Sequence, residues 1–188
     1  IESDENNYVM WYSGIDNGQS TILSARSSDS GLSWSNSSEI KFSSGSTELS
    51  SGFSDPSVVT TDDSVYHMWF TSTYCDGAPG IAYAGASSPS TSVWTMQFST
   101  DSPCFVLGAG ETGSFDESGA AAPSVYYDDP LFKMIYTGKD SSGNLSTGYA
   151  VSMNGRDWIK IPGNAGNGAS LAEGFSASWF APDEVWYS

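Results

Sequence analysis

Cationic side chains are scarce in this chain. Lysine and arginine together number 6 against 22 aspartates and glutamates, for a formal charge of −16 at neutral pH. Nucleic-acid binding depends on cationic contacts to phosphate, and anionic membranes attract polybasic segments, so this balance argues against both partners. It favours a soluble acidic surface, cation binding, or salty or extracellular surroundings. The scarcity of lysine also removes a main component of helix surfaces. No stretch reads as a signal peptide or as an apolar run long enough to span a membrane. The sequence opens at Ile1 without an initiator methionine, which predicts a mature or excised segment. Cysteine is nearly absent, with only Cys75 and Cys104. An even count in a Ser/Thr-rich, Lys-poor chain predicts one disulfide and an oxidising compartment, with two buried free thiols as the alternative.

What the chain has instead is aromatic side chains, 14% of its residues, set among Ser, Thr, Gly, Asn and Asp. Aromatics with few long aliphatics favour strands over helices. A length of 188 residues suits one or two domains with a real core. The arrangement repeats. Each copy opens on a Pro-led apolar strand: Pro56-Ser57-Val58-Val59, Pro123-Ser124-Val125-Tyr126 and Pro182-Asp183-Glu184-Val185. An acidic turn and an aromatic strand follow, at residues 65–70, 131–136 and 8–12. A small-residue strand comes next, at 81–84, 147–151 and 22–25. A turn ending in tryptophan closes each copy, at Trp94, Trp158 and Trp34. Four short strands joined by hairpins, and repeated, predict propeller-type blades.

The spacing closes on itself. Pro56 to Pro123 is 67 residues, Pro123 to Pro182 is 59, and Pro182 through the C-terminus and round to Pro56 is 62. The sequence therefore predicts an all-β fold of β-propeller-type four-stranded blades, three per 188 residues, one of them split between the C- and N-termini. The expected blades are 182–188 with 1–50, then 51–110, then 111–181, forming one unit over 1–188. Three arrangements fit the split. N-terminal strands complete the last blade, or the chain is one period of a longer array or a protomer whose open ends pair with other copies, or it is a fragment of a five-bladed ring. Pairing between copies predicts that the final strand lies against residues 1–12 of a neighbour.

Ser27-Ser28-Asp29-Ser30-Gly31-Leu32-Ser33-Trp34 resembles the Asp-box, S-x-D-x-G-x-T/S-W, of sialidase-like propellers. Its chemistry is local. Asp29 accepts backbone N–H groups of its own hairpin, Gly31 takes a positive φ, and Trp34 packs under the turn that Ser27 opens. Ser152-Met153-Asn154-Gly155-Arg156-Asp157-Trp158 is a shortened version, and the stretch from Ser87 to Trp94 a degraded one with Pro89 in place of the Asp. The motif speaks for fold and not for catalysis.

With these, the Pro-Ser-Val stretches, Gly113-Ser114-Phe115-Asp116-Glu117-Ser118-Gly119, Phe53-Ser54-Asp55-Pro56-Ser57-Val58-Val59 and Ser178-Trp179-Phe180-Ala181-Pro182-Asp183 resemble the five-bladed propeller glycosidases. The nearest groups are glycoside hydrolase families 43 and 32 and the related family 130, and the resemblance covers nearly the whole chain. Family 43 inverts by three carboxylates: a general base, a carboxylate that tunes pKa and orients the sugar, and a general acid. Base and acid flank the bond with room for a water. The resemblance implies Asp55, before Pro56, as the base and Asp183, after Pro182, as the tuning residue. The acid belongs just before Pro123, where this chain has Ala120-Ala121-Ala122; Glu117 is the displaced candidate, with Asp116 beside it. Without a proton donor, assistance worth about 10²–10⁴-fold in rate is lost.

Asp55 and Asp183 also read as ordinary turn residues beside proline. The acidic turns Asp62-Asp63, Asp128-Asp129 and Glu2/Asp4/Glu5 predict one strongly negative rim. They suit turn chemistry, with Ca²⁺ as the alternative; no other metal or cofactor is expected. Segments 14–20, 71–80 and 138–146, and the connection 35–54, read as loops of the opposite face. The one histidine, His67, is expected to face outward or to hydrogen-bond within the sheet. Sequons at Asn36 and Asn144 point to glycosylation. A Cys75–Cys104 bond would staple the longest blade. Two functions result. The first is a non-catalytic extracellular module building a larger assembly from copies of itself, associated with carbohydrate. The second is a secreted glycoside hydrolase, or a fragment of one, using Asp55, Asp183 and Glu117.

Overall fold

The computed structural model describes residues 2–4, 6–49, 51–61, 64–75, 78–99, 102, 104–163 and 168. The expected all-β fold is observed: no helix occurs among these residues. The first sheet runs β1 (Glu2–Asp4), β2 (Asn7–Asp16), β3 (Gln19–Ser27) and β4 (Ser38–Glu39) in spatial order. The second contains β5 (Lys41–Ser44), β6 (Thr47–Leu49), β7 (Phe53–Thr60), β8 (Tyr66–Ser72), β9 (Gly80–Ala86) and β10 (Val93–Gln97). Its spatial order is β6-β5-β10-β9-β8-β7. The third runs β11 (Gly119–Asp128), β12 (Leu131–Lys139), β13 (Leu145–Ser152) and β14 (Ile159–Ile161).

Two features differ from the expected four-stranded pattern. The middle sheet has six strands because the connection after the first sheet is not a loop. It folds into the β5–β6 hairpin, and β5 pairs in parallel with the outer edge of β10. The cause is apolar burial: Phe42 of β5 stacks on Phe70 at 4.2 Å and meets Phe53 at 4.8 Å. In the first sheet, the edge position that β7 and β11 hold elsewhere is taken by β1, which pairs with Asn7, Tyr8 and Val9 of the longer β2. The strand expected there from Pro182 lies outside the described residues.

Strands β2, β8 and β12 share a pattern centred on Met10, Met68 and Met134, so Trp11, Trp69 and Ile135 are equivalent, as are Ser13, Thr71 and Thr137. Alternation along each strand gives a sheet two faces. Trp11, Val9 and Ile22 of the first sheet pack on Met68, Phe70 and Trp94 of the second. Trp69, Ile81 and Tyr83, on the reverse of the second sheet, pack on Val125, Phe132, Met134 and Tyr136 of the third. Each such side chain contributes roughly 1.5–3 kcal/mol by leaving water.

The two joints are built alike. Trp11 meets Trp94 edge-on with centroids 6.0 Å apart and planes at 86°. Trp69 meets Trp158 at 6.0 Å and 83°. In the second joint both indole N–H groups donate to the Gly155 carbonyl, at 2.7 Å from Trp69 and 2.9 Å from Trp158. Gly155 has φ 72°, and a β-carbon on it would lie 2.7 Å from Trp69 Cζ2. In the first joint the degraded turn offers no such carbonyl, and the buried Trp11 and Trp94 N–H groups have no acceptor.

The turn at 27–34 has the bonds its sequence predicts. Asp29 accepts the Ser33 N–H at 2.9 Å and the Ser33 hydroxyl at 2.6 Å, while Ser27 Oγ accepts the Gly31 N–H at 2.8 Å. Gly31 has φ 86°. Trp34 departs from expectation: it is 37% exposed and not tucked away. In the shortened turn Asn154 takes the place of the Asp, accepting the N–H groups of Arg156 and Asp157 at 2.9 Å each. His67 is buried and not outward-facing. Its ring bonds the Tyr83 hydroxyl at 2.7 Å and Thr61 Oγ1 at 2.9 Å.

Candidate functional site

Strands β7 and β11 open the same way. The residue before each proline has a left-handed backbone, φ 54° at Asp55 and 49° at Ala122. Each sits where the strand slips register against its neighbour, between Ser54 and Ser57 and between Ala121 and Ser124. This conformation costs roughly 1–2 kcal/mol for a residue with a β-carbon, and a following proline crowds it further. The preceding sheet holds it in place. Ser13 Oγ accepts the Asp55 N–H at 2.8 Å, and Thr71 Oγ1 accepts the Ala122 N–H at 2.8 Å. The strained bulge therefore belongs to the repeat, since it forms with a carboxylate at one position and a methyl group at the other. The Asp55 carboxylate accepts the Ser54 hydroxyl at 2.8 Å.

Glu117 lies on the turn leading to β11. One carboxylate oxygen accepts the Gly113 N–H and the other accepts the Ser141 N–H at 2.9 Å. These bonds, Gly113 first, hold its carboxyl below the usual range. They tie the turn to the β12–β13 hairpin. Asp183 lies outside the described residues.

Asp116, named beside Glu117 in the sequence, is held by partners that sequence reading missed. Asp116 is 1% exposed and accepts Lys160 Nζ at 2.6 Å, the Ser114 hydroxyl at 2.8 Å and the Tyr136 hydroxyl at 2.9 Å. Burial alone would push its carboxyl up; the Lys160, Ser114 and Tyr136 bonds outweigh it, and the net shift is downward. Burial and the Asp116 charge push the Tyr136 phenol far above its ordinary value. Lys160 also donates to the Gly108 carbonyl at 2.8 Å, so one cation locks the 108–116 connection to β14. The sequence signal was weak: Asp116 and Lys160 are 44 residues apart.

The disulfide between Cys75 and Cys104 is present, with Cα atoms 6.0 Å apart. Its hairpin reaches the start of β11, where the Pro79 carbonyl accepts the Ala120 N–H at 3.1 Å. Gly119 makes this approach feasible; a β-carbon there would lie 2.7 Å from the Pro79 oxygen. Of the acidic turns, Asp128 pairs with Lys133 and Asp129 accepts the Tyr127 hydroxyl at 2.8 Å. Asp62, Asp63 and Glu5 lie outside the described residues. Asn36 is exposed, whereas the Asn144 amide nitrogen donates to Asp140 at 2.8 Å. A groove of about 780 Å³ runs beside β14, lined by Phe105, Leu107, Met153, Trp158 and Lys160. Ser152 pairs with Phe132 and Leu145 with Lys139, so the box turn in this groove lies at the opposite end of the sheet from Ala122.

No family model matches this chain, and no curated protein matches it. Solved structures do. A family 117 glycoside hydrolase from the marine bacterium Zobellia galactanivorans superposes with a TM-score of 0.66 at 15% identity, covering 86% of this chain and 53% of that one. An α-L-arabinofuranosidase from Lactobacillus brevis gives 0.58 at 13%, covering 84% and 51%. A xylan β-1,4-xylosidase from Bacillus halodurans gives 0.57 at 13%, covering 85% and 29%. The chain thus has the propeller-like fold of glycoside hydrolases, and it spans about half the length, or less, of the structures it matches.

Proposed function

We propose that the chain is a non-catalytic, glycan-associated unit of an extracellular propeller: three blades, one split between its ends, that join to further copies. The observation that carries this reading is the pair of equivalent bulges. One presents Asp55; the other, ahead of Pro123 where a general acid is needed, presents Ala122. The two N–H partners of Glu117, which favour its ionised form, support the reading that it does not fill the gap. A carboxyl that donates a proton near neutral pH needs the reverse shift. The disulfide supports an oxidising, extracellular setting, and the likeness to carbohydrate-active enzymes supports a sugar ligand.

The second reading, a hydrolase of the family 43 kind, draws on Asp55 standing before its proline near the start of β7. It assigns Asp55 as base, Asp183 as tuning residue and Glu117 as acid. Arabino-, xylo-, fructo- and manno-oligosaccharides offered to the purified chain separate the two. The non-catalytic reading expects binding by calorimetry or glycan array without release of reducing sugar. Release that disappears in Asp55→Asn would overturn it.

A further inference from the structure

Asparagine followed by glycine is a reactive pair. The glycine nitrogen can close on the carbonyl carbon of the asparagine side chain, because no β-carbon screens its approach. Two such pairs lie among the described residues, Asn17-Gly18 and Asn154-Gly155, and the fold treats them oppositely. Of a third pair, Asn167-Gly168, Asn167 lies outside the described residues. Asn154-Gly155 is bound up in the shortened box turn. Asn154 Oδ1 accepts the N–H groups of Arg156 and Asp157 at 2.9 Å each, and Nδ2 donates to Asp157 at 2.8 Å. The nucleophile is held too: the Gly155 N–H donates to Ser152 Oγ at 2.9 Å, and Gly155 is buried against Trp69. Asn17-Gly18 is the tip of the β2–β3 hairpin, with φ 48° and 81°, the two positive values of a type I′ turn. Cross-strand pairing ends at Asp16 and Gln19, so the Gly18 N–H has no ladder partner. Both residues are exposed, and a β-carbon on Gly18 would meet nothing within 4 Å. The Asn17 side chain makes a single hydrogen bond among the described residues, from Nδ2 to Asp16 Oδ2 at 3.0 Å.

We propose that Asn17 is a site of spontaneous deamidation in the folded protein, and that the box turn shields Asn154 from the same reaction. The Gly18 nitrogen bonds to Asn17 Cγ, the Cγ–Nδ2 bond breaks, and Nδ2 leaves as ammonia with the Gly18 proton. Water then opens the succinimide. Cleavage between Cγ and the nitrogen leaves an aspartyl residue, and cleavage between the backbone carbonyl carbon and the nitrogen leaves an isoaspartyl one. Either product carries a new carboxylate beside Asp16, where the amide had donated a hydrogen bond. The isoaspartyl form also lengthens the main chain by one atom, in a two-residue turn that sets the β2–β3 register. This hairpin borders the Asp55 bulge. The Ser20 carbonyl accepts the Gly52 N–H at 2.9 Å, and Ser13 Oγ accepts the Asp55 N–H at 2.8 Å. A cleft of about 310 Å³ at its tip is lined by Asp16, Asn17, Gln19, Thr21 and Glu39. Deamidation therefore adds negative charge to a cleft that already holds two carboxylates, next to the candidate site.

The test incubates the folded full chain at mildly alkaline pH beside a sample reduced and unfolded in guanidinium chloride. Peptide mapping by mass spectrometry follows the aspartyl and isoaspartyl forms at positions 17 and 154. In the folded chain position 17 should convert, with the isoaspartyl form present. Position 154 should convert more slowly by about tenfold or more, because the box turn must open before its amide is free. In the unfolded chain the two sites should convert at similar rates. Gly18→Ala should slow conversion at 17 in both samples, since its methyl group screens the nitrogen. Ser152→Ala releases the Gly155 N–H and should raise conversion at 154 while leaving 17 unchanged. Circular dichroism melting establishes that both variants are folded. An Asn17 that keeps its amide in the folded chain, while it reacts in the unfolded one, overturns the proposal. Equal rates at 17 and 154 in the folded chain overturn the shielding, as does a Ser152→Ala chain with no rise at 154.

Discussion

At the scale of single residues, the clearest physics is in Asp29. The Ser33 hydroxyl, the Ser33 N–H and the Ser27 hydroxyl, in that order, bring its carboxyl down from an ordinary 3.8 to about 2. A folded-state value below the unfolded one means stability that is complete above the unfolded value and lost as pH falls through the folded one. The relevant window is therefore between the ordinary carboxylate range and about 2. Asn154 shows that a neutral amide can make the same turn, so Asp29→Asn removes the charge and keeps the shape. The urea midpoint of the wild type should exceed that of the variant at neutral pH, and the gap should close across that window. A gap that stays constant down to the acid end would sink this account. Asp29 was legible because its partners are within four residues in sequence. Asp116 was not, because burial and a distant lysine decide its character, and nothing near it in sequence announces either.

At the scale of elements, the turn and the strand it supports are one device. Gly155 is fixed by its positive φ and by the Trp69 ring against it, while Gly31 in the longer turn has only the φ, its nearest neighbour being Trp34 at 3.8 Å. Alanine at both sites incurs the left-handed penalty of about 1–2 kcal/mol. Alanine at 155 adds a clash in a packed core, worth about 1–3 kcal/mol more. Gly155→Ala should thus lower the unfolding free energy by about 2–5 kcal/mol and perturb tryptophan fluorescence. Gly31→Ala should cost about 1–2 kcal/mol and leave the Trp69–Trp158 pair undisturbed. Equal losses in chemical denaturation would refute the division. The strand pattern was readable because period-two alternation and the recurring Met-Trp core mark β2 and β8 directly. The β5–β6 hairpin was not. Its Ser, Gly and Glu content reads as a connection, and only Ile40, Phe42 and Leu49 signal burial. Its parallel pairing with β10 depends on where two distant segments meet, a matter that local pattern does not reach.

At the scale of the whole molecule, a chain with formal charge −16 and long-range sheet joints holds itself together against its own repulsion. The disulfide is the covalent contribution to that balance. Cys75 and Cys104 are 29 residues apart in sequence, and closing a loop of that size removes chain entropy worth about 3–4 kcal/mol from the unfolded state. The bond lies outside both core clusters, on the hairpin whose Pro79 carbonyl takes the Ala120 N–H at the mouth of the candidate site. Its loss should therefore act on stability and not on architecture. The paired replacement Cys75→Ser with Cys104→Ser should keep the far-ultraviolet β-sheet signal and lower the unfolding free energy by about 3–4 kcal/mol. Reduction of the wild type should give the same loss. Amide exchange places the remaining effect: protection at Ala120 should fall more than at Met134, because Ala120 bonds to the stapled hairpin whereas Met134 pairs with Val125 and Ala150 of the third sheet. A loss below about 1 kcal/mol would mean that the joints between sheets already order the hairpin. In that case the cysteines would record the compartment and contribute little to the fold.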